Sequence, residues 1–291
     1  MSDDLAVFQR HRAHLLALAY RMLGDLARAE DLVQETWLRW QGRAEQAEVP
    51  RAYLTAILTR LCLNELDSAR VRHEDRSDRL PEPVDLEDGA MGRAETLERI
   101  SMAFVVMLQR LTPAERAVLL LHEVCDFDHA EIAALVGKSE AASRKLLERA
   151  KDSVASERRF LQTSPEEHQR LLSAFVRATS AGDVSALVAL LADDAVIVTD
   201  GGANGRRVGG VRNLVRPLEG AARIATFLTA TSQRNPDVRA TEIRSLNGQP
   251  ALLLTGPDGV LAAILLGVSE GRIHRVYVQG DPTRLRHLGR G

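Results

Sequence analysis

The hydrophobic period of this 291-residue chain changes once, and the change divides what the chain can fold into. From Asp4 to Trp40, apolar residues recur at helical spacing: Leu5, Phe8, Leu15, Leu16, Leu18, Ala19, Met22 and Leu23. "LARAEDLVQETWLRWQ" continues the pattern after Gly24-Asp25. Pro50 then opens "RAYLTAILTRLCLNELDSARVR", which has no internal glycine or proline. Beyond Ser164-Pro165 two further helical segments, "EEHQRLLSAFVRATSAGD" and "DVSALVALLADD", give way to short apolar runs. "AVIVTDGG", "QPALLLTGPDG", "GVLAAILLGVSEG" and "RIHRVYVQG" are separated by glycines and by Asn-Gly or Asp-Gly pairs, as hairpin connections require. The pattern predicts an all-α first part and an α+β last third, helices first and an antiparallel sheet after.

The helical part is interrupted. Between His73 and Glu98, nine acidic residues stand against three arginines, a net of −6, and "DRLPEPVDLEDG" has no period. This is a linker. Helices resume near Glu95, and "LTPAERAVLLLHEV" carries Thr112 as N-cap, Pro113 at the first position and Glu115 at the third, a capping box. Cys62 and Cys125 lie in apolar helical contexts and read as buried thiols. The N-terminus lacks the basic-then-apolar order of a signal peptide, and runs such as "VLAAILLGV" are too short to cross a bilayer. A cytoplasmic protein with no membrane contact is expected.

"AEIAALVGKSEAASRKLLERAK", from Ala130 to Lys151, has the outline of a helix-turn-helix. Gly137 supplies the turn, Ala133 the close helix crossing, and Ser139 the N-cap of the second helix. Ile132, Val136 and Leu146 are expected to pack inward. The outward face then presents Glu140, Ala141, Arg144, Lys145, Glu148 and Arg149. Lys138 and Ser143 occupy positions where many such motifs carry an apolar residue. Lys138–Lys151 carries five basic and two acidic residues, yet residues 1–160 hold 23 Lys+Arg against 28 Asp+Glu. Autonomous DNA binding draws on a basic surface for phosphate neutralisation. A motif in a net acidic half points to DNA contact assisted by a larger partner.

"AYRMLGDLARAEDLVQETWLRW" (Ala19–Trp40), "PRAYLTAILTRLCLNELDSARVRHE" (Pro50–Glu74) and "LTPAERAVLLLHEVCDFDHAEIAALVGKSEAASRKLLERAK" (Leu111–Lys151) together resemble an extracytoplasmic-function sigma factor of bacterial RNA polymerase. "RLPEPV", "VTDGGANGRRVGGVRNLVRPLEGAARIATFL" and "VYVQGDPTRLRHL" narrow the resemblance to the SigJ-like group, which adds a SnoaL-like (NTF2-like) domain. Arg79 stands where that group often has tryptophan. Ala203-Asn204 and Thr283-Arg284 also depart from its usual Asp-Gly-Gly-Gly-Lys and Asn-Pro-Asp-Lys-Leu runs.

The resemblance implies a multidomain chain. Two all-α modules, a region 2 helical bundle (1–75) and a region 4 helix-turn-helix (99–160), flank an acidic linker (76–98). An α+β cone follows at 165–288. It implies core polymerase contact at the β′ clamp through Asp31, Gln34 and Glu35, and at the β flap. Arg51, Arg60, Asn64, Arg70 and Arg72 would bind the −10 element. Ser139, Glu140, Ala141, Arg144, Lys145, Glu148 and Arg149 would bind the −35 element. Leu80, Pro81, Glu82 and Pro83 of the linker would meet Asp200, Gly201, Gly202, Arg206, Asp281, Pro282 and Arg284 in a regulatory contact. The acidic linker would occupy a basic polymerase channel meant for RNA.

Each feature also has a plainer reading: Trp37 and Tyr53 as core, Arg70 and Arg72 as a solvated helix end. Asp194, Asp200 and His274 are the only inviting catalytic candidates in the cone, and no His–Asp pair is evident at useful spacing. No catalysis is expected. His122 and Cys125 form one H-x-x-C pair, short of the four ligands zinc takes, and read as buried helix residues. No metal or cofactor is expected, and the cone is where an unidentified small ligand would bind. The rival readings are a free-standing regulator that senses a small molecule, and a SnoaL-like isomerase or cyclase with an accessory helical domain.

Overall fold

Asp25, Thr112, Asp128, Ser139, Ser164 and Asp183 each accept a hydrogen bond from the backbone N–H three residues on, and each sets a helix start. The computed structural model describes residues 3–43, 47–71, 79–85, 101–155, 160, 163–202, 207–208, 211–234 and 237–289. They divide into two compact units. One lies within Met1–Ser77 and Val105–Ser156, the other within Asp78–Glu87, Arg99–Phe104 and Glu157–Gly291.

The first unit contains α1 (Asp3–Leu23), α2 (Leu26–Trp40), α3 (Pro50–Val71), most of α4 (Met102–Gln109), α5 (Pro113–Glu123), α6 (His129–Val136) and α7 (Glu140–Val154). Gly24, at φ 68°, ends α1 and lets the chain reverse into α2. Trp40 is fully buried and donates its indole N–H to the Asp4 carbonyl at 3.0 Å. Trp37, which the sequence places in the core, is only half-buried and leans on Phe8 with ring centroids 5.1 Å apart. Tyr53 is half-buried against Trp40 at 5.8 Å.

α5 packs against α1 and α3. Arg116 of α5 is 6% exposed, and its guanidinium donates to the Met22 carbonyl at the end of α1 and, at 3.4 Å, to the Leu111 carbonyl after α4. The Met22 carbonyl, in the last turn of α1, lacks an intrahelical donor and lies at the negative end of the helix dipole, so it suits a cation, which also reaches the turn between α4 and α5. Nearby, Cys125 Sγ lies 3.7 Å from His14 Nε2. Burial pushes the Cys125 thiol up to about 11, and burial with the charges of Arg51 and Arg21 pulls His14 down to about 4.

The second unit is built from α8 (Pro165–Ala181), α9 (Val184–Leu190), β1 (Leu191–Asp200), β2 (Arg207–Val208), β3 (Val211–Arg212), β4 (Leu218–Glu219), α10 (Ala221–Gln233), β5 (Ala240–Leu246), β6 (Gln249–Gly256), β7 (Gly259–Ser269), β8 (Arg272–Gln279) and α11 (Pro282–Leu285). The main sheet runs β4-β1-β8-β7-β6-β5, and β2 pairs with β3. It is mixed rather than antiparallel throughout: β1 and β8 are parallel, with Ile197 opposite Val276 and Asp200 opposite Gln279. After α10 the chain enters at the far edge strand. Three reversals at Asn247-Gly248, Pro257-Asp258 and Glu270-Gly271 then return β8 to β1 in the same direction. Asn247 and Glu270 take positive φ with the glycines that follow, the backbone of a two-residue hairpin turn.

One face of the sheet packs on α8, α9 and α10 through Leu171, Phe175, Leu187, Ile224, Leu228, Leu252, Leu266 and Val276. The alternate residues Ala251, Leu253, Ala263, Leu265 and Tyr277 are buried on the other face.

His168 of α8 is 8% exposed, and burial pulls its pKa down from 6.5 to about 4. The folded state therefore keeps it neutral where the unfolded chain takes up a proton. Stability should fall by about 3 kcal/mol as pH drops from 6.5 to 4. His168→Leu should flatten that part of the slope in urea unfolding measured across this range.

Candidate functional site

Sequence chemistry prepares the linker for a buried site. Pro81 and Pro83 bring no N–H and favour an extended backbone, so few donors need partners when "LPEPV" leaves water. Leu80 through Val84 are all buried. The Leu80 N–H donates to Asp200 Oδ2 at 2.9 Å, and the Val84 N–H to Asn247 Oδ1 at 3.0 Å. The Leu80 carbonyl accepts from Arg284 at 2.6 Å and from Gln279 Nε2 at 3.1 Å, which also reaches the Pro81 carbonyl at 3.4 Å. The Pro83 carbonyl meets His287 Nε2 at 2.7 Å, and the Val84 carbonyl accepts the Asn247 N–H at 2.7 Å. Glu82 lies 3.0 Å from His287 Nδ1, and Asp85 lies 3.9 Å from Arg244.

The span also fits. Four residues of extended chain cover about 12 Å, and stepping from β8 to the β5–β6 turn crosses two to three strand spacings, about 10–14 Å. The segment thus runs from the β1/β8 ends to Asn247, over the sheet face opposite α8–α10.

Of the residues singled out for this contact, Leu80, Pro81, Glu82, Pro83, Asp200 and Arg284 come together. Gly202 does so indirectly. Its N–H binds Asp200 Oδ1 at 2.9 Å, its φ is +76°, and an added Cβ would sit 2.7 Å from the Asp281 carboxyl carbon. Asp281 caps α11 through the Thr283 N–H, with Pro282 in its first turn. Gly201 lies beside them, buried. Arg206 lies outside the described residues. Gln279, Asn247, Arg244 and His287 were not anticipated. The Asn-Gly turn located Asn247 in sequence, but nothing local marked its amide as a linker partner.

On α2, Asp31 and Gln34 are exposed, while Glu35 is half-buried and pairs with Arg39 at 2.9 Å. Exposed Leu38 lies on the same helix. On α3, Arg60 and Asn64 are exposed one turn apart on one face. Arg51 is also exposed, but nine residues before Arg60 it falls on the opposite side, where its charge acts on His14 and Cys125. The structure does not bring Arg51 to the Arg60–Asn64 face. Nothing is described of the Arg70 side chain, and Arg72 lies outside the described residues.

The helix-turn-helix forms at α6–α7, with Gly137 left-handed at φ 66°. Ser139, Glu140, Ala141, Arg144, Lys145, Glu148 and Arg149 are all exposed, and Arg144 pairs with Glu140 one turn earlier. Ile132 is buried, but Val136 and Leu146 are only half-buried. The inward stripe of α7 is Ser143, Leu147, Ala150 and Val154, a phase one residue later than Leu146 suggested. His122 is half-exposed and stacks on His129 at 5.1 Å, so it is not the buried residue expected beside Cys125. Among the described residues no His, Cys, Asp and Glu cluster is placed to hold a metal.

The sequence suggested no His–Asp pair in the last third, yet parallel pairing of β1 and β8 brings His274 Nδ1 to 2.9 Å from Asp194. The His274 side chain is 9% exposed and lies against Phe160, while that of Asp194 is 62% exposed. An activated base works in a dry pocket beside an oxyanion donor. A solvated carboxylate and a covered imidazole do not provide one.

Asp200→Ala should release the Leu80 amide and unseat Gln279. Hydrogen exchange at Leu80 should quicken by a factor corresponding to about 1–3 kcal/mol, with the β6–β7 amides unchanged.

Residues 7–72 match the family model of Sigma-70 region 2, and residues 101–154 that of Sigma-70, region 4. The chain is 33% identical over 265 residues to the ECF RNA polymerase sigma factor SigJ of Mycobacterium tuberculosis (strain ATCC 25618 / H37Rv), covering 88% of this chain and 83% of that protein. It is 29% identical over 296 residues to the probable ECF RNA polymerase sigma factor SigI of Mycobacterium tuberculosis (strain CDC 1551 / Oshkosh), covering 97% and 95%. The crystal structure of the Mycobacterium tuberculosis extracytoplasmic function sigma factor SigJ is similar with a TM-score of 0.75 at 30% identity, over 97% of this chain and 98% of that one.

Proposed function

We propose, since this chain belongs to the extracytoplasmic-function family of RNA polymerase sigma factors, that its second unit regulates initiation by holding the segment that joins its two promoter-reading modules. As a sigma factor it binds core RNA polymerase and promoter DNA and directs transcription initiation. It is not an enzyme. The observation that carries the regulatory reading is the seating of Leu80–Val84 on Asp200, Gln279, Asn247, Arg284 and His287. A linker held along its length cannot also run through the polymerase interior, so its docked and released forms have different affinities for polymerase. A two-state element needs that differential contact to act as a switch.

In this reading Asp31 and Gln34, with Leu38 beside them, face the β′ clamp. Arg60 and Asn64 work at the −10 element. The exposed face of α7 reads the −35 element, with the helix-turn-helix module seated on the β flap. Buried Leu171, Phe175, Ile224 and Leu228 form an apolar core between the sheet and α8 and α10, which supports a role for this unit through contact. Among the described residues no helix is long and apolar enough to cross a membrane, and work with polymerase supports a cytoplasmic location.

The first unit adds a second condition. It holds both readers together, with α5 packed on α1 and α3. Elements at −10 and −35 are about 25 base pairs apart, roughly 85 Å at 3.4 Å each, whereas a compact unit of this length is roughly 40 Å across. The α1–α5 contact must open on a promoter. Spin labels on α2 and α7 should therefore move apart by tens of ångströms when core polymerase and promoter DNA are added. An unchanged distance in an initiating complex refutes the opening.

Transcription in vitro with core polymerase tests the whole reading. The full chain should support promoter-specific initiation. Ending it after about Gln162, or introducing Asp200→Ala with Gln279→Ala, should change the rate severalfold without abolishing it. No promoter-specific initiation by the full chain would sink the assignment, and equal rates for all three would remove the regulatory role.

A further inference from the structure

Ser143 is the anomaly of the recognition helix. It is fully buried, on the stripe that continues through Leu147, Ala150 and Val154, where a methyl-bearing side chain would be the simpler choice. Its hydroxyl lies 3.1 Å from His129 Nδ1. His129 is the first residue of α6, in a turn fixed by the Asp128–Glu131 capping box. Behind it the His122 ring stacks at 5.1 Å with 30° between planes. His122 meets Glu123 at 3.2 Å, and Glu123 holds Lys151, in the last turn of α7, at 2.7 Å. A polar chain thus runs from the first turn of α7, through α6 and α5, to its last turn.

Apolar packing tolerates small sliding and rotation, because dispersion is weakly directional. A buried hydrogen bond is directional, and losing it leaves a polar atom unsatisfied. Burial, then the charges of His122 and Arg144, lower the His129 pKa, with Glu140 and Asp128 opposing. A neutral ring keeps one nitrogen able to accept the Ser143 hydroxyl proton. Ser143 is flanked by Arg144 and lies one turn from Glu140, so its position fixes where the exposed face points.

We propose that His129, acting through Ser143, is a positioning residue that sets the rotation and depth of α7 and so determines −35 specificity. This rests on α7 being the −35 reader. A promoter selected by the wild-type chain from a randomised −35 library, and the same template with that element scrambled, give a discrimination ratio in core-polymerase transcription. His129→Ala and Ser143→Ala should each lower the ratio by about tenfold, with initiation on the scrambled template unchanged. The double variant should be no worse than either single one. His129→Asn, which keeps a donor–acceptor amide near Nδ1, should restore most of the ratio. Equal loss on both templates, an unchanged ratio for Ser143→Ala, or additive effects would each overturn the inference. Ser143→Ala removes only a hydroxyl and serves if His129→Ala does not fold. Replacing Arg144, Lys145 and Arg149 by Ala separates the premise. If that variant keeps the wild-type ratio, the assignment of α7 as reader is wrong. If it loses the ratio while Ser143→Ala keeps it, only the positioning role is.

Discussion

One buried guanidinium holds the helical unit together. Arg116 sits at the end of α1 and at the turn between α4 and α5, and it donates to the Met22 and Leu111 carbonyls. A neutral side chain there would leave both acceptors out of water without this donor, which costs more than a typical hydrogen bond contributes. A buried charge is itself expensive, so the position is stable only while both carbonyls stay in place. The contact is conditional: strong when α1 and α5 meet, costly when they part in a dry environment, and cheap to lose once water enters. That energetic profile fits the proposed opening of the α1–α5 contact.

The second unit solves the opposite problem, keeping the Leu80–Val84 part of an acidic linker seated. Proline removes alternate donors, and the Leu80 and Val84 amides, with the Leu80 and Pro81 carbonyls, meet fixed partners at strand ends and at a tight turn. Asp200 serves two amides, Leu80 and Gly202, and lies beside Gln279 Nε2 at 3.3 Å. The absence of a Cβ at Gly202 is what lets the Asp281 carboxylate approach. Asp200 ends β1, Gln279 ends β8 and Asp281 caps α11, so the seat is tied to the sheet beneath it. A rigid seat for a segment with few internal constraints makes docking nearly all-or-none along its five residues.

What the sequence revealed follows the range of the interaction that decides it. The Thr112–Glu115 box, the Gly137 turn and the Asn247-Gly248 hairpin each depend on residues a few positions apart, and their chemistry is visible in a short window. The identity of the inward stripe on α7 depends on a phase that Leu146 and Leu147 leave ambiguous by one residue. Trp37 and Trp40 differ by three, and only the approach of α1, with Asp4 beside Trp40, decides which is enclosed. The parallel β1–β8 pair, and with it the His274–Asp194 contact, joins residues 80 apart and has no local signature. The linker seat sits between these cases. Family resemblance located Asp200 and Arg284, whereas Gln279, Asn247 and His287 enter through backbone carbonyls that no side-chain pattern advertises.

The same logic bears on the charge of the chain, −2 overall. The exposed face of α7 spends part of its basic character internally, since Arg144 pairs with Glu140 and Lys151 with Glu123. Exposed pairs of this kind contribute little stability, and they lower the net field that would draw α7 to any phosphate backbone. A helix with that restraint has little non-specific affinity to offer. In the proposed role as the −35 reader, its binding would depend on geometry, on side chains arriving at base edges in a fixed orientation, and on a partner that supplies the phosphate contacts. For a helix in that proposed role, a polar clasp behind it would serve better than additional surface charge, because it would improve the ratio of right to wrong sites without raising affinity for both.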